Sequence, residues 1–290
     1  MTQLENDKLI ACVDKMPAFP RSVQQVVYLT SDLNASAKEI VRVIENDPIM
    51  TLKILKAINS AFYGLPNKIT SVQRAVVHLG LNTIKNLALG VAAMGMLKTQ
   101  NKANFDTSLF LLHSLTTAAM SKKLAEQIGL SQTECSDSFV GGLLHDFGKV
   151  VFAEFMADEF KLALEKSKLI QSPLHEAEVE FIGINHAQVG RMLAERWGLS
   201  EQLIDLIAHH HDPAGNQSAL SDCVFVANQL SKHLCFGDGG NPVVELLSDN
   251  AAERFGLSIE PTPALTMAPL IENLGDLDAI KSEAQSFIHL

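Results

Sequence analysis

The strongest constraint on this chain is the run Gly141-Gly142-Leu143-Leu144-His145-Asp146-Phe147-Gly148-Lys149. It sets an imidazole and a carboxylate side by side among apolar and small residues. Burying an unpartnered carboxylate is costly, so Asp146 needs a counter-charge or a metal ion. Gly148 and Lys149 follow at once, so the segment reads as the end of a buried helix with a cation beside it. More histidines lie on both sides, at His113, His186 and His209-His210-His211. Neighbouring residues on a helix project about 100° apart, and one helix cannot enclose an ion. Several helices are therefore expected to meet around Asp146.

Helix signals recur and strand signals are weak, which predicts an all-α protein. Asp47-Pro48 supplies a cap and an N1 proline for a helix expected to stop near Gly64-Leu65-Pro66. Ser131 and Glu134 form a capping box ahead of the His145-Asp146 segment. Ser172-Pro173 and Asn241-Pro242 read as further helix starts, and Gly198 and Gly256 as helix stops. Four or five helices fit between residues 20 and 98. The polar stretch 99–105 is the candidate linker. The expected organisation is a two-lobed helical bundle, with a smaller lobe over 1–98 and a larger one over 106–290 that carries the histidines.

Composition narrows the function. Of the 290 residues 47% are apolar, with one Trp and two Tyr, so the core must be largely aliphatic. A net charge of −10 without any Lys/Arg run argues against non-specific binding to nucleic acid or an anionic membrane. Cys12, Cys135, Cys223 and Cys235 lack CxxC spacing and read as reduced thiols of a cytoplasmic protein. The N-terminal Met1-Thr2-Gln3-Leu4-Glu5-Asn6-Asp7 does not read as a signal peptide, and no apolar run approaches a membrane span.

Each candidate residue also has a plainer reading. His113, mid-helix, is as readily a satisfied core residue. His186 opens a helix after Asn185. Of His209, His210 and His211 at most two can face one site, because three consecutive residues cover about 200° of helix surface. His209 is also placed to pair with Asp205 on the surface. Asn228 reads equally as a buried hydrogen-bonding residue. Asp222 lies on a different face of the same helix. Lys149 is suited to steadying a phosphate oxygen, or simply to a helix C-terminus.

The set as a whole is more specific. The order His113, His145-Asp146, His186, His210-His211, then Asn228 on a later helix resembles the HD superfamily of metal-dependent phosphohydrolases. Met16-Pro17-Ala18-Phe19-Pro20, Ile44-Glu45-Asn46-Asp47-Pro48, Asn59-Ser60-Ala61-Phe62-Tyr63-Gly64, His78-Leu79-Gly80, Asn185-His186-Ala187, Trp197-Gly198-Leu199 and His210-His211-Asp212-Pro213 narrow this. Over residues 16 to 235 the chain resembles the HDOD family of bacterial signalling proteins. That resemblance implies an HD-like C-terminal lobe and a regulatory output module acting through partner signalling proteins, usually without catalysis. It also implies first-metal ligands at His113, His145 and Asp146, and second-metal ligands at His186, His210 and His211. Asn228 stands where HD hydrolases place a final Asp. A neutral carbonyl there weakens the hold on a hard divalent cation.

Imidazole and carboxylate without thiolate suit Fe, Mn, Ni, Co or Zn, and no organic cofactor is expected. The alternative function is a phosphohydrolase acting on a nucleotide or other phosphate ester, with Asp146 orienting water and Lys149 holding phosphate. On the same resemblance cyclic di-GMP is not expected to be hydrolysed at a meaningful rate. The stretch Asp212 to Ala219 lacks the Gly-Tyr-Pro loop of the related HD-GYP enzymes. Asp146→Ala is expected to remove metal while costing less stability than a core truncation, since neutral histidines would be left with no orphan charge.

Overall fold

The computed structural model describes residues 3–31, 36–60, 65, 67–97, 101–212 and 218–288. Within them every regular element is a helix, so the chain is all-α. The N-terminal half holds α1 (Gln3–Lys15), α2 (Arg21–Ser31), α3 (Ala37–Glu45), α4 (Pro48–Ile58), α5 (Val72–Leu79) and α6 (Leu81–Met94). Then come α7 (Thr107–Gln127), α8 (Gln132–Leu144), α9 (Gly148–Phe155), α10 (Ala157–Ile170) and α11 (Leu174–Ile182). The rest are α12 (His186–Arg196), α13 (Glu201–His209), α14 (Ala219–His233), α15 (Asp249–Arg254), α16 (Pro263–Asn273) and α17 (Leu277–Ile288). None is long and apolar enough to cross a membrane.

Capping residues account for most starts. Asp47 accepts from Met50 N–H ahead of Pro48, and Asp106 accepts from Ser108 and Leu109 N–H. Ser36–Glu39, Ser131–Glu134 and Asn185–Gln188 are reciprocal capping boxes. Helix α7 is the central strut. Its residues from Phe110 to Ala125 are almost all buried, and it packs against α8, α14 and α17. A helix buried all round belongs to the interior rather than the surface.

The N-terminal helices join the same core. Helix α6 lies on α8, and α1 touches α9 and α12. Phe19 packs on Trp197 with ring centroids 4.7 Å apart, and Trp197 packs on Phe147 at 5.3 Å. The turn that carries Asp146 is thereby braced by Phe19, from the segment between α1 and α2. Of the stretch 99–105, residues 101–105 are described. Asn101 bonds both backbone groups of Phe105, whose ring sits between Phe110 and Phe160.

Two expected boundaries are corrected. Helix α4 ends at Ile58, not near Gly64-Leu65-Pro66, because the Asn59 side chain leaves the helix to bond both backbone groups of Ile69. Ala61-Phe62-Tyr63-Gly64 lies outside the described residues. Asn241-Pro242 starts no helix. Asn241 Oδ1 accepts from Val243 N–H two residues on, and Gln229 Oε1 takes Glu245 N–H. With those donors satisfied by side chains, one of them from α14 itself, the segment stays extended along α14.

Candidate metal centre

Helix α8 ends at Leu144, and His145 caps it with its N–H on Gly141 O. Asp146 and Phe147 form the turn before α9. The turn is tight because Gly148 lies against the His186 carbonyl and Gly190 N at the start of α12. This contact sets the first residue of α12, His186, directly against Asp146.

Asp146 is the hub, 1% exposed. Its Oδ2 lies 3.6 Å from His113 Nε2, 3.4 Å from His145 Nε2 and 2.6 Å from Lys149 Nζ. Its Oδ1 lies 3.0 Å from His186 Nε2 and 3.5 Å from His210 Nε2. His211 Nε2 is 2.8 Å from His186 Nε2. Each carboxylate oxygen thus faces its own group of imidazoles, supplied by α7 and α8 on one side and by α12 and α13 on the other.

Four of these rings are held in one sense. His145 Nδ1 donates to Gly142 O and His210 Nδ1 to Ile207 O, both at 2.8 Å. His186 Nδ1 donates to Glu178 Oε2 at 2.6 Å, and the same oxygen takes the His186 backbone N–H. The Ser231 hydroxyl donates to Phe236 O, which leaves a lone pair for His113 Nδ1 at 3.1 Å. With Nδ1 carrying the proton, the Nε2 of each ring in its neutral form offers a lone pair toward Asp146. Lone pairs facing a carboxylate repel it until a cation intervenes. His113 Nε2, His145 Nε2 and Asp146 Oδ1 are buried without a hydrogen-bond partner. Buried orphans of this kind call for a ligand. The donor set fits a divalent cation, and the Glu178–His186 pair is the second-layer contact typical of metal-binding histidines.

Burial raises the Asp146 pKa, but neighbouring His145 and Lys149 more than offset this and hold it well below the usual carboxylate range. Burial lowers His113 and His211 well below the usual imidazole value and takes His210 down to about 3. His186 is the exception. Burial lowers it, but Glu178 outweighs the loss and leaves it raised.

These shifts give stability a sign with pH in metal-free protein. Below about pH 6.5 an unfolded chain binds protons that His113, His210 and His211 refuse when folded, so acid favours unfolding. His186 acts oppositely, contributing stability below about 6.5 that is lost as pH rises through its raised value. Three outweigh one. The urea midpoint of metal-free protein is expected to fall between about pH 7 and about pH 5. A flat or rising midpoint there would contradict neutral buried imidazoles.

The predicted residues sort cleanly. His113, His145, Asp146, His186, His210 and His211 converge. His209 does not, and its Nδ1 bonds the Asp205 backbone carbonyl rather than the carboxylate. Asp222 pairs with Arg254 at 2.7 Å. Asn228 is 1% exposed with Oδ1 unpartnered. It sits one turn before Ser231 and Lys232, on the face of α14 that meets the site. Lys149 is buried, bonding Asp146 Oδ2 and, at 2.7 Å, the Gly239 carbonyl.

Sequence reading missed Glu178, Ser231, Lys232 and Gly239. A Cβ on Gly239 would sit 2.9 Å from His113 Cδ2 and 3.0 Å from Asp146 Oδ2, so only glycine lets this backbone lie against the donors. The run Gly237-Asp238-Gly239-Gly240 was the available signal. Beside it opens a cavity of about 460 Å³ lined by His113, Lys168, Lys232 and the glycine segment.

This architecture, helices bringing a His-Asp cluster around one turn, is of the HD type. The HDOD domain profile matches residues 16–213, and the chain belongs to the HDOD family. An HDOD domain protein of unknown function from Geobacter sulfurreducens superposes with a TM-score of 0.75 at 25% identity, covering 98% of this chain and 97% of that one. An uncharacterized protein of Treponema pallidum is 27% identical over 84% of this chain and 48% of its own length. Ribonuclease Y of Thermus thermophilus is 28% identical over 50% of this chain and 21% of its own. The chain therefore spans about half the length of the first of these curated relatives and about a fifth of the second.

Proposed function

We propose that this chain is a signal-transduction output module. Its Asp146-centred site holds a divalent cation, from the group Fe, Mn, Ni, Co and Zn, and serves recognition more than turnover. The observation that carries the reading is the set of four imidazoles anchored through Nδ1, with Nε2 aimed at one carboxylate. A cation there would lower the pKa of a coordinated water. Two features favour binding over rapid chemistry. Lys149 already occupies Asp146 Oδ2, and Asn228 offers no charge. Partners of this module are signalling proteins or a small phosphate-bearing ligand, with Lys168 and Lys232 lining the adjacent cavity as the cationic contacts.

The second reading is a metal-dependent phosphohydrolase. The cavity beside His113 has the size of an ordinary small-ligand site. The ribonuclease Y relatives, by name, act on a phosphodiester. Protein loaded with Mn or Fe is expected to hold metal by plasma emission yet to leave cyclic di-GMP and model phosphodiesters intact. Turnover near about 1 per second would favour the hydrolase reading. Absence of bound metal after loading would remove both.

Glu178 gives a graded check. Glu178→Gln keeps the shape but removes the anionic partner of His186 Nδ1. Metal affinity is expected to fall about 10- to 100-fold, as for other second-layer losses. Unchanged affinity in a metal titration would mean that His186 is not a ligand.

A further inference from the structure

We propose that His175, His211 and Glu245 form a second cation site, distinct from the Asp146 cluster and touching it through the hydrogen bond of His211 to His186. Their donor atoms lie within 4.8 Å of one another. Two metal–ligand bonds span at most about 4 Å, so closing the site needs movements of about 1 Å or less. His175 is the second residue of α11 and stacks on His211, with centroids 4.2 Å apart and planes 26° from parallel. His175 Nδ1 and His211 Nδ1 are both buried and without a hydrogen-bond partner. His211 Nε2–H donates to His186 Nε2, so its Nδ1 carries the lone pair and is the nitrogen left for this second cluster.

The third donor comes from the extended segment after α14. Gln229 Oε1 holds the Glu245 backbone N–H at 2.9 Å, fixing where the carboxylate starts. The side chain is held loosely, with Lys232 Nζ at 3.4 Å, longer than a strong ammonium–carboxylate bond. Lys232 also bonds Val243 O, so it retains a partner if Glu245 turns toward a cation. Helix α11 serves both sites from one face. Glu178, one turn after His175, holds His186, while His175 reaches His211. Two imidazoles and a carboxylate, with a fourth position open to water, suit zinc, cobalt or nickel better than magnesium or calcium.

Zinc titration of the full chain tests this, with bound metal counted by plasma emission after dialysis and thermal melting followed in parallel. His175→Ala and the isosteric Glu245→Gln are each expected to lose about one zinc equivalent relative to wild type. They should also lose part of the zinc-induced rise in melting temperature. The paired variant Asp146→Ala/Lys149→Met should retain the His175-dependent equivalent, and adding His175→Ala to it should remove that equivalent. Wild-type zinc content in both His175→Ala and Glu245→Gln overturns the proposal. So does loss of every equivalent in the Asp146/Lys149 variant. Full zinc content in the Asp146/Lys149 variant, with a deficit in His175→Ala, would instead sink the Asp146 metal centre and leave this site standing.

Discussion

Asp146→Ala is expected to destabilise the metal-free protein by about 3–5 kcal/mol, the range for breaking a buried ion pair from one side. Lys149 Nζ would keep only the Gly239 carbonyl, leaving an uncompensated ammonium in a site almost free of solvent. This reverses the expectation from sequence, in which removing the carboxylate left only neutral histidines. The structure puts a cation on that carboxylate. The paired variant Asp146→Ala/Lys149→Met removes both charges and is expected to recover much of the loss, because an ion pair replaced whole by apolar groups is often neutral. Urea unfolding of the two variants decides it. Equal destabilisation would mean that the orphan charge is not the cause.

Gly148→Ala is expected to cost about 3 kcal/mol and to abolish metal binding together. A methyl at position 148 would fall on the carbonyl oxygen of His186, with His186 C at 2.8 Å and Gly190 N at 2.9 Å. These are backbone atoms at the start of α12, so no side-chain rotation can relieve the clash. Helix α12 must move, and it carries His186 away from Asp146. The comparison variant is Gly256→Ala, at a glycine with nothing near its Cβ position. It is strained only by its left-handed backbone and should leave metal binding intact. A Gly148→Ala protein within about 0.5 kcal/mol of wild type, with full metal content, would refute the close packing of α9 on α12.

Much of the site was legible because its ligands sit at positions with strong local grammar. His145-Asp146 stands out as polar residues in a run with no other reason for polarity. His186 directly follows Asn185, a good helix N-cap, and His210-His211 end a helix. The face argument left two of His209, His210 and His211 open, and packing chose His210 and His211. The supporting residues had no such grammar. Glu178 sits in a helix rich in Glu, among Glu176 and Glu180, and only the fold reveals which of the three turns inward. Ser231 and Lys232 are polar residues near a helix end, where polarity is ordinary. The extended segment through Glu245 was misread because Asn-Pro is a sound helix start. Nothing local says that Gln229, a dozen or more residues earlier, will take the donor that a helix would need.

The ring nitrogens and carboxylate gathered around Asp146 have a consequence for how occupancy is felt elsewhere. They belong to four segments laid down separately along the chain: α7, the turn after α8, α12 and the end of α13. A ligand that satisfies them ties those segments to each other, so that opening any one must break bonds shared with the rest. The free energies of local opening then rise together, by an amount set by ligand concentration and affinity. Helix α7 is 21 residues long and packs against α17, so occupancy at a solvent-free centre is registered as a slower breathing of more distant helices. A partner that docks only on a quiet or a restless surface could read the state of the site with no displacement of the backbone.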